Sequence, residues 1–387
     1  MEVTTIALLA VLFIEVVFFL LTQVNKSVSN FVSKHNVNVY PFMILIDLGK
    51  VPRLKSVSGS KKALVAMAVI GTVNFIALLY LFYRALIPSI AAFFGAVVSG
   101  GSVRSPFVPV VPGVTVSITQ FIYILLALSV GVALHEFFHA IAAYAAGWRV
   151  EAWGVGLLLI FPLAYVRTNE EDFKEASMKA KAAVLTAGVL ANTVLFLIAM
   201  AAIPVVMAHV NTGVVILSLD TKDVTAPAVK AGLPTPSLLL TINNSKIRSI
   251  ADLRAVLIPN KDKEVTYVVK IRRVEIRNGV AVFRSGVLTY VLHKPTGRWR
   301  LGIIVTELPL QGTSPQLLAL ARFMYWFYIV NISLAVINAA PLYITDGGRL
   351  IGELLRRYNL SFLNHIIQGL TAFFVIMFLV VGLFGHL

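Results

Sequence analysis

Two histidines and a glutamate stand close together in an otherwise apolar part of the chain, in the run His135-Glu136-Phe137-Phe138-His139. On a helix, residues four positions apart share a face, so His135 and His139 are placed to bind one metal ion. Glu136 is then placed to take a proton from a metal-bound water molecule. The pattern predicts metal-assisted hydrolysis. The alternative is a pair of buried histidines that hydrogen-bond to neighbouring helices, with Glu136 neutral or in an ion pair.

A third metal ligand is expected much later in the chain, at Asp346. A catalytic zinc site combines three protein ligands with an open position for water. Pro341 should end the preceding helix, and Gly347 and Gly348 should stop that helix from continuing, which leaves Asp346 on an irregular turn. The alternative is an ordinary Asp-Gly turn in which Asp346 caps a helix over 350–358.

The elements that must position these residues are predicted to be membrane helices. Of the 387 residues, 58% are hydrophobic and 13% are charged, whereas a typical soluble protein carries about 25% charged residues. A membrane span takes about 20 helical residues. Six runs are long and apolar enough: 4–22, 63–83 (with an extension towards 97 as the alternative), 118–148, 182–208, 317–341 and 362–385. The run 152–166 is short and interrupted by glycine and proline, so a membrane-embedded strand or re-entrant segment packed inside protein is expected there.

The distribution of charge predicts how the spans are oriented. The formal net charge is 33 − 18 = +15, but the basic residues cluster between apolar runs. They form no basic face with interleaved aromatic residues, so no nucleic-acid partner is expected. The loop 23–62 carries seven basic residues against one acidic residue, whereas 99–117 carries a single basic one. The positive-inside tendency therefore places the first loop in the cytoplasm and the second outside. The chain has no cysteine, which excludes thiolate zinc ligands.

The segment 210–315 differs in character from the apolar runs around it. Strand-like runs at 214–219, 238–242, 264–271, 280–292 and 301–305 alternate with polar turns, and short helical patterns lie at 226–232 and 250–257. This pattern predicts a small β-rich domain on the non-cytoplasmic side of the membrane. The expected division of the chain is 1–117 (accessory spans and a basic cytoplasmic loop), 118–209 (core membrane domain), 210–315 (the insert) and 316–387 (C-terminal membrane part).

Several of these segments together resemble the site-2 protease family of intramembrane zinc metalloproteases. They are the HEFFH run, Asn338 with Pro341 and the later Asp-Gly-Gly, the run 187–192 ending in Asn192, and the insert, whose residues 226–233 resemble the opening of the family's PDZ domains. Thr345 is a departure, because the family usually has leucine before Asp-Gly. The resemblance implies a polytopic α-helical membrane protein of about six transmembrane helices with an inserted PDZ-like domain.

The resemblance also implies the activity and the residues that perform it. Zinc would bind His135, His139 and Asp346, Glu136 would be the general base, and two asparagines, Asn192 and Asn338, would lie near the substrate backbone. The alternative for each asparagine is a helix–helix hydrogen bond. The substrate would be a transmembrane helix of a protein anchored in the lipid bilayer, cut after an upstream protease has trimmed it.

Other functions fit parts of the sequence. A membrane-bound HExxH peptidase of the gluzincin type would need a later glutamate ligand, for which Glu171 and Glu175 in the polar loop 167–181 are candidates. A catalytically inactive scaffold, in which the PDZ-like domain binds protein tails, is the alternative from a different class. A transporter would be expected to show paired half-repeats with broken helices, and the sequence has no internal repeat.

Overall fold

The structure is a computed structural model that describes residues 3–49, 60–101, 105–297 and 300–384. The chain forms two compact units. The first comprises Met1–Ala202 with Arg322–Leu387, and the second comprises Ile203–Ala321. In chain order the helices are α1 (Val3–Val24), α2 (Lys26–Lys34), α3 (Lys61–Ser99), α4 (Ile118–Ala145), α5 (Glu170–Glu175), α6 (Met178–Met207), α7 (Pro227–Lys230), α8 (Ile250–Leu257), α9 (Pro315–Ala339), α10 (Asp346–Arg357) and α11 (Ser361–Phe384).

Five of the described helices are long and apolar enough to cross a membrane: α3, α4, α6, α9 and α11. They correspond to five of the six predicted spans. The first predicted span lies in α1, which together with α2 forms a pair bent by 103°. The described helices therefore provide five candidate spans, or six if this bent pair counts as one.

A four-stranded antiparallel sheet belongs to the same unit as these helices. Its strands are β1 (Val37–Tyr40), β2 (Met43–Gly49), β3 (Val150–Leu158) and β4 (Phe161–Thr168), in the order β1-β2-β3-β4. The run 152–166, predicted to be too broken for a span, forms the β3–β4 hairpin. Gly154 in β3 is required by close packing, because a Cβ there would lie 2.6 Å from the ring of Tyr165 in β4. Burial and a hydrogen bond to Asp47 in β2 raise the pKa of Tyr165 to about 12.

The second unit is a sheet packed against two short helices. Its strands are β5 (Thr212–Leu219), β6 (Ser237–Ile242), β7 (Ser245–Lys246), β8 (Val265–Arg277), β9 (Val280–Lys294) and β10 (Ile303–Pro309). The main order is β10-β5-β6-β8-β9, and β7 pairs with β6. The predicted strands and helices of the insert are confirmed. The β8–β9 hairpin is longer than predicted because the Asn278-Gly279 turn, with positive φ at both residues, lets pairing continue to its tip.

Candidate metal centre

Three predicted ligands converge on one point of the first unit. His135 and His139 lie one turn apart on α4, and Asp346 is the first residue of α10. Asp346 Oδ2 lies 3.1 Å from Nε2 of each histidine, and the two Nε2 atoms lie 3.0 Å apart. Ligands at 2.0–2.2 Å from a tetrahedral zinc would be about 3.3 Å from one another. The donor atoms are therefore spaced within about 0.3 Å of the separations in a tetrahedral zinc site.

Hydrogen bonds at Nδ1 orient both histidine rings so that their Nε2 atoms face this centre. His135 Nδ1 lies 2.6 Å from Asn192 Oδ1, and His139 Nδ1 lies 2.7 Å from the carbonyl oxygen of Val184, both on α6. A carbonyl oxygen only accepts, so each Nδ1 carries a proton, and in the neutral imidazole the Nε2 atom then presents a lone pair. The alternative of histidines that only hydrogen-bond to neighbouring helices explains the Nδ1 contacts. This alternative does not explain the other ring nitrogens. The Nε2 lone pairs of His135 and His139 face each other and the Asp346 carboxylate, an arrangement that a cation would stabilise.

Helix α6 approaches these histidines closely because Gly188 has no side chain. A Cβ at this position would lie 2.5 Å from His135 Nε2. Any larger residue would enter the space between the candidate metal ligands. The sequence resemblance includes Gly188, but its contact with the metal centre becomes evident only from the packing of α6 on α4.

The turn that carries Asp346 differs from the one expected. Helix α9 ends at Ala339, shortly before Pro341, as predicted. As expected, α9 does not continue through Gly347 and Gly348, but the expectation that Asp346 lies on an irregular turn is wrong, because all three residues lie in the first turn of α10. The two glycines are needed there for close packing. A Cβ on Gly347 would lie 2.5 Å from the backbone carbonyl carbon of Ala339, and one on Gly348 would lie 2.9 Å from Gln368 Oε1.

The capping role considered for Asp346 belongs to its neighbour. Thr345 is the N-cap of α10, where its hydroxyl oxygen accepts from Gly348 N at 3.1 Å and donates to the carbonyl oxygen of Ala340 at 2.6 Å. Threonine serves this purpose, whereas the leucine usual in the family could not. The carboxylate of Asp346 is therefore free to face the histidines, and its side chain is 16% exposed.

Glu136 is held by the sheet rather than by another side chain. Its Oε2 accepts a hydrogen bond from the backbone N–H of Val166 in β4 at 2.9 Å. The other edge of β4 pairs with β3, so this N–H lies on the free edge of the sheet. The β3–β4 hairpin thus orients the carboxylate beside the metal ligands.

The two predicted asparagines occupy different environments. Asn192 is fully buried, and its Nδ2 donates to the carbonyl oxygen of Gly131 at 3.2 Å and to Asn331 Oδ1 at 3.0 Å. Asn338 is partly buried on α9, seven residues after Asn331. Sequence reasoning missed Asn331, whose one signal is an amide within an apolar predicted span.

The glutamates of the gluzincin alternative lie outside this centre. The side chain of Glu171 is 80% exposed and lies 3.5 Å from Arg149. Asp172 also contacts this arginine, and the hydrogen bond from Arg149 holds the pKa of Asp172 below its usual range. Glu175 is exposed. Within the described part of the chain, the group of side chains able to hold a metal is His135, His139 and Asp346.

Comparison with known proteins shows the family of this chain. Residues 123–382 match the model of peptidase family M50, the site-2 protease family of membrane-embedded metalloproteases. Because this match covers more than half of the chain, the protein belongs to peptidase family M50. It is also 28% identical over 256 residues to the uncharacterized protein MJ0971 of Methanocaldococcus jannaschii. That alignment covers 64% of this chain and 62% of the relative, so the chain spans less than two thirds of the relative's length.

Proposed function

We propose that this protein is a zinc-dependent endopeptidase that cuts a transmembrane helix of a membrane-anchored substrate. The observation that carries the proposal is the convergence of His135 Nε2, His139 Nε2 and Asp346 Oδ2 within 3.1 Å of one another. Membership of the M50 family supports the chemistry. As the family resemblance implies, the substrate would first be trimmed by an upstream protease.

The residues around the centre support a division of roles. Bound zinc would polarise the scissile carbonyl and lower the pKa of its water to about 7. Glu136 then accepts the proton of the attacking water and returns it to the leaving amine. The Val166 N–H bond, which fixes one carboxylate oxygen, favours this role because it holds Glu136 in one orientation.

We propose different roles for the two asparagines: Asn338 binds the substrate backbone, and Asn192 supports a metal ligand. A helical substrate must unwind before water reaches its peptide carbonyl, and the freed amide groups then need partners within the membrane. Asn338, partly exposed on α9, is proposed to supply such a partner. For Asn192 the hydrogen bonds favour a role behind the metal ligands, because both of its amide N–H groups are engaged within the protein.

We further propose that the second unit is a PDZ-like domain on the non-cytoplasmic side. Two features support the PDZ-like assignment, and the side of the membrane rests on the charge distribution of the loops. Strand β10 lies at an edge of the sheet, and Ile250 N of α8 donates to Glu307 Oε1 of β10 at 2.6 Å. A cavity of about 520 Å³ is lined by apolar residues of both elements, among them Leu253, Leu257 and Ile303. An extended peptide could add to β10 as a further strand.

Zinc analysis combined with a cleavage assay tests the proposed activity. Detergent-purified wild-type protein should hold near-stoichiometric zinc and cleave a model transmembrane substrate. His139→Ala and Asp346→Ala should lose both zinc and cleavage. Glu136→Gln should keep zinc but lose cleavage by about 10²–10⁴-fold, as expected for removal of a general base.

A matched control separates the alternatives. Glu171→Gln changes an exposed glutamate of α5 and should keep both zinc and cleavage. Loss of zinc in Glu171→Gln, together with retention in Asp346→Ala, would favour the gluzincin arrangement. Wild-type protein that holds no zinc even after reconstitution would instead indicate the inactive scaffold and contradict the proposal.

A further inference from the structure

Asn331 is an amide buried in the middle of a helix that is apolar enough to span the membrane. Its relative exposure is 0%, and it lies on α9 between two other membrane helices. Asn331 Oδ1 accepts from Asn192 Nδ2 of α6, and a Cβ at Gly131 of α4 would lie 2.9 Å from Asn331 Oδ1. Burial of an amide is unfavourable unless its hydrogen bonds are made, so these contacts account for its presence there.

The hydrogen bonds of Asn331 have a fixed direction. Its Nδ2 donates to the carbonyl oxygen of Phe327 at 2.8 Å, and a carbonyl oxygen can only accept. The amide of Asn331 therefore presents its oxygen, not its nitrogen, to Asn192.

The donor–acceptor order set by Asn331 continues through Asn192 to the candidate metal ligand His135. Asn192 Nδ2 uses its two N–H groups for Asn331 Oδ1 and the carbonyl oxygen of Gly131. Its Oδ1 must then face His135 Nδ1, at 2.6 Å. The order of donors and acceptors from Phe327 through both asparagines thus leaves the proton of His135 on Nδ1 and the lone pair on Nε2.

We propose that Asn331 is a positioning residue for the metal centre, acting on His135 through Asn192. The inference rests on the proposed zinc site and adds to it a residue outside the motifs that resemble the family. The comparison with His139 explains why a relay is needed. His139 Nδ1 meets a backbone carbonyl, that of Val184, which cannot rotate. His135 meets a side-chain amide, whose orientation depends on the two acceptors of its N–H groups, the Gly131 carbonyl oxygen and Asn331 Oδ1.

Zinc affinity of the full-length protein in detergent, measured by competition with a chelating dye, tests the proposal. Partners that orient a ligating histidine typically contribute 10–100-fold to metal affinity. Asn331→Leu, which keeps the side-chain size but removes the amide, should weaken zinc binding by at least about tenfold. Asn331→Ala serves the same purpose if the leucine variant does not fold. Thr193→Val removes a hydroxyl that donates to the Val189 carbonyl oxygen within α6, and it should leave affinity unchanged.

A conservative variant and a double variant separate positioning from a general packing role. In Asn331→Asp, burial favours the neutral carboxylic acid, which can donate to the Phe327 carbonyl and accept from Asn192 as the amide does. This variant should bind zinc closer to wild type than Asn331→Leu. If Asn331 acts through Asn192, the double variant Asn192→Leu/Asn331→Leu should bind zinc no more weakly than Asn192→Leu alone.

Failure of this inference differs from failure of the proposed function. Wild-type affinity in Asn331→Leu, or fully additive losses in the double variant, would overturn the positioning role while the zinc site remained intact. Absence of zinc binding in the wild type would overturn the proposed function itself, and the inference with it.

Discussion

Lys181 Nζ lies 2.8 Å from Glu353 Oε2, with the two side chains only 11% and 10% exposed. This ion pair joins α6, which supports both histidines, to α10, which carries Asp346. The two ends of the pair are not equivalent. Glu353 also contacts Arg356 at 2.9 Å through its other oxygen, so it has a second partner of opposite charge. The further contacts of Lys181 carry no formal charge: they are the carbonyl oxygen of Lys174 at 3.3 Å and the Phe173 ring, whose centroid lies 4.9 Å from Nζ. The connection between the helices therefore depends more on the glutamate than on the lysine.

Glu353→Leu should destabilise the protein more than Lys181→Met. The first change leaves a buried ammonium without a carboxylate, for which losses of about 3–5 kcal/mol are typical. The second leaves Glu353 paired with Arg356, so its loss should be smaller. The double variant should recover much of the stability, since apolar replacement of a whole buried pair is often neutral. Thermal unfolding in detergent measures all three, and equal losses in the single variants would contradict the asymmetry.

Gly188→Ala should remove zinc binding while the protein still folds. The added Cβ would lie 2.5 Å from His135 Nε2 and so enter the metal position. Overpacking of this kind typically destabilises by about 1–3 kcal/mol. Gly369→Ala on α11 is the matched control, because nothing lies within 4 Å of the added Cβ. It should retain zinc. Normal zinc content in Gly188→Ala would mean that the metal does not lie where these ligands converge.

Local patterns explain what could be predicted of the fold and the site. Long apolar runs identify spans, alternation identifies the strands of the insert, and spacing of four residues identifies His135 and His139. The remaining parts depend on pairs that are distant in sequence. Asn192 and Asn331 are 139 residues apart, and Lys181 and Glu353 are 172 apart. A lone polar residue in an apolar run indicates that a partner exists but not which residue it is.

The sheet beside α4 also depends on pairing between residues distant in sequence, which local patterns do not predict. The β3 and β4 runs are visible in the sequence, but the pairing of β2 with β3 is not, because these strands are separated by two long helices. The glycines of the Asp346 turn are a related case. Their residue type suggested a break, whereas only the packing against the end of α9 shows that they allow close approach.

Removal of metal should lower the stability of the wild type and leave Asp346→Ala unaffected. Three donor atoms within 3.1 Å of one another face a common point, and binding of zinc to the folded state stabilises it by mass action. At free zinc 1,000-fold above its Kd, the effect is about 4 kcal/mol. Thermal unfolding with and without a chelator measures it. A chelator effect of the same size in Asp346→Ala would place the metal elsewhere.

Val166→Pro should impair cleavage but not zinc binding. Proline removes the N–H that holds Glu136 Oε2 at 2.9 Å. Proline is tolerated on an edge strand where the N–H points away from the sheet, and β4 is such an edge. Pro162 lies four residues before Val166 in β4, so in an alternating strand its backbone nitrogen faces the same edge as that of Val166. Misplacement of a catalytic group by about 1 Å can lower the rate by about 10²-fold, so a loss of that order in kcat is expected.

Ala164→Pro is the control for this substitution. Residue 164 lies in the same phase of β4, so its N–H also faces the free edge, but Glu136 bonds to Val166 and not to this position. Ala164→Pro should therefore lower kcat much less than Val166→Pro, while both retain zinc. Equal losses in the two variants would indicate that proline disrupts the hairpin as a whole. The Val166 contact would then have no separate role in orienting Glu136.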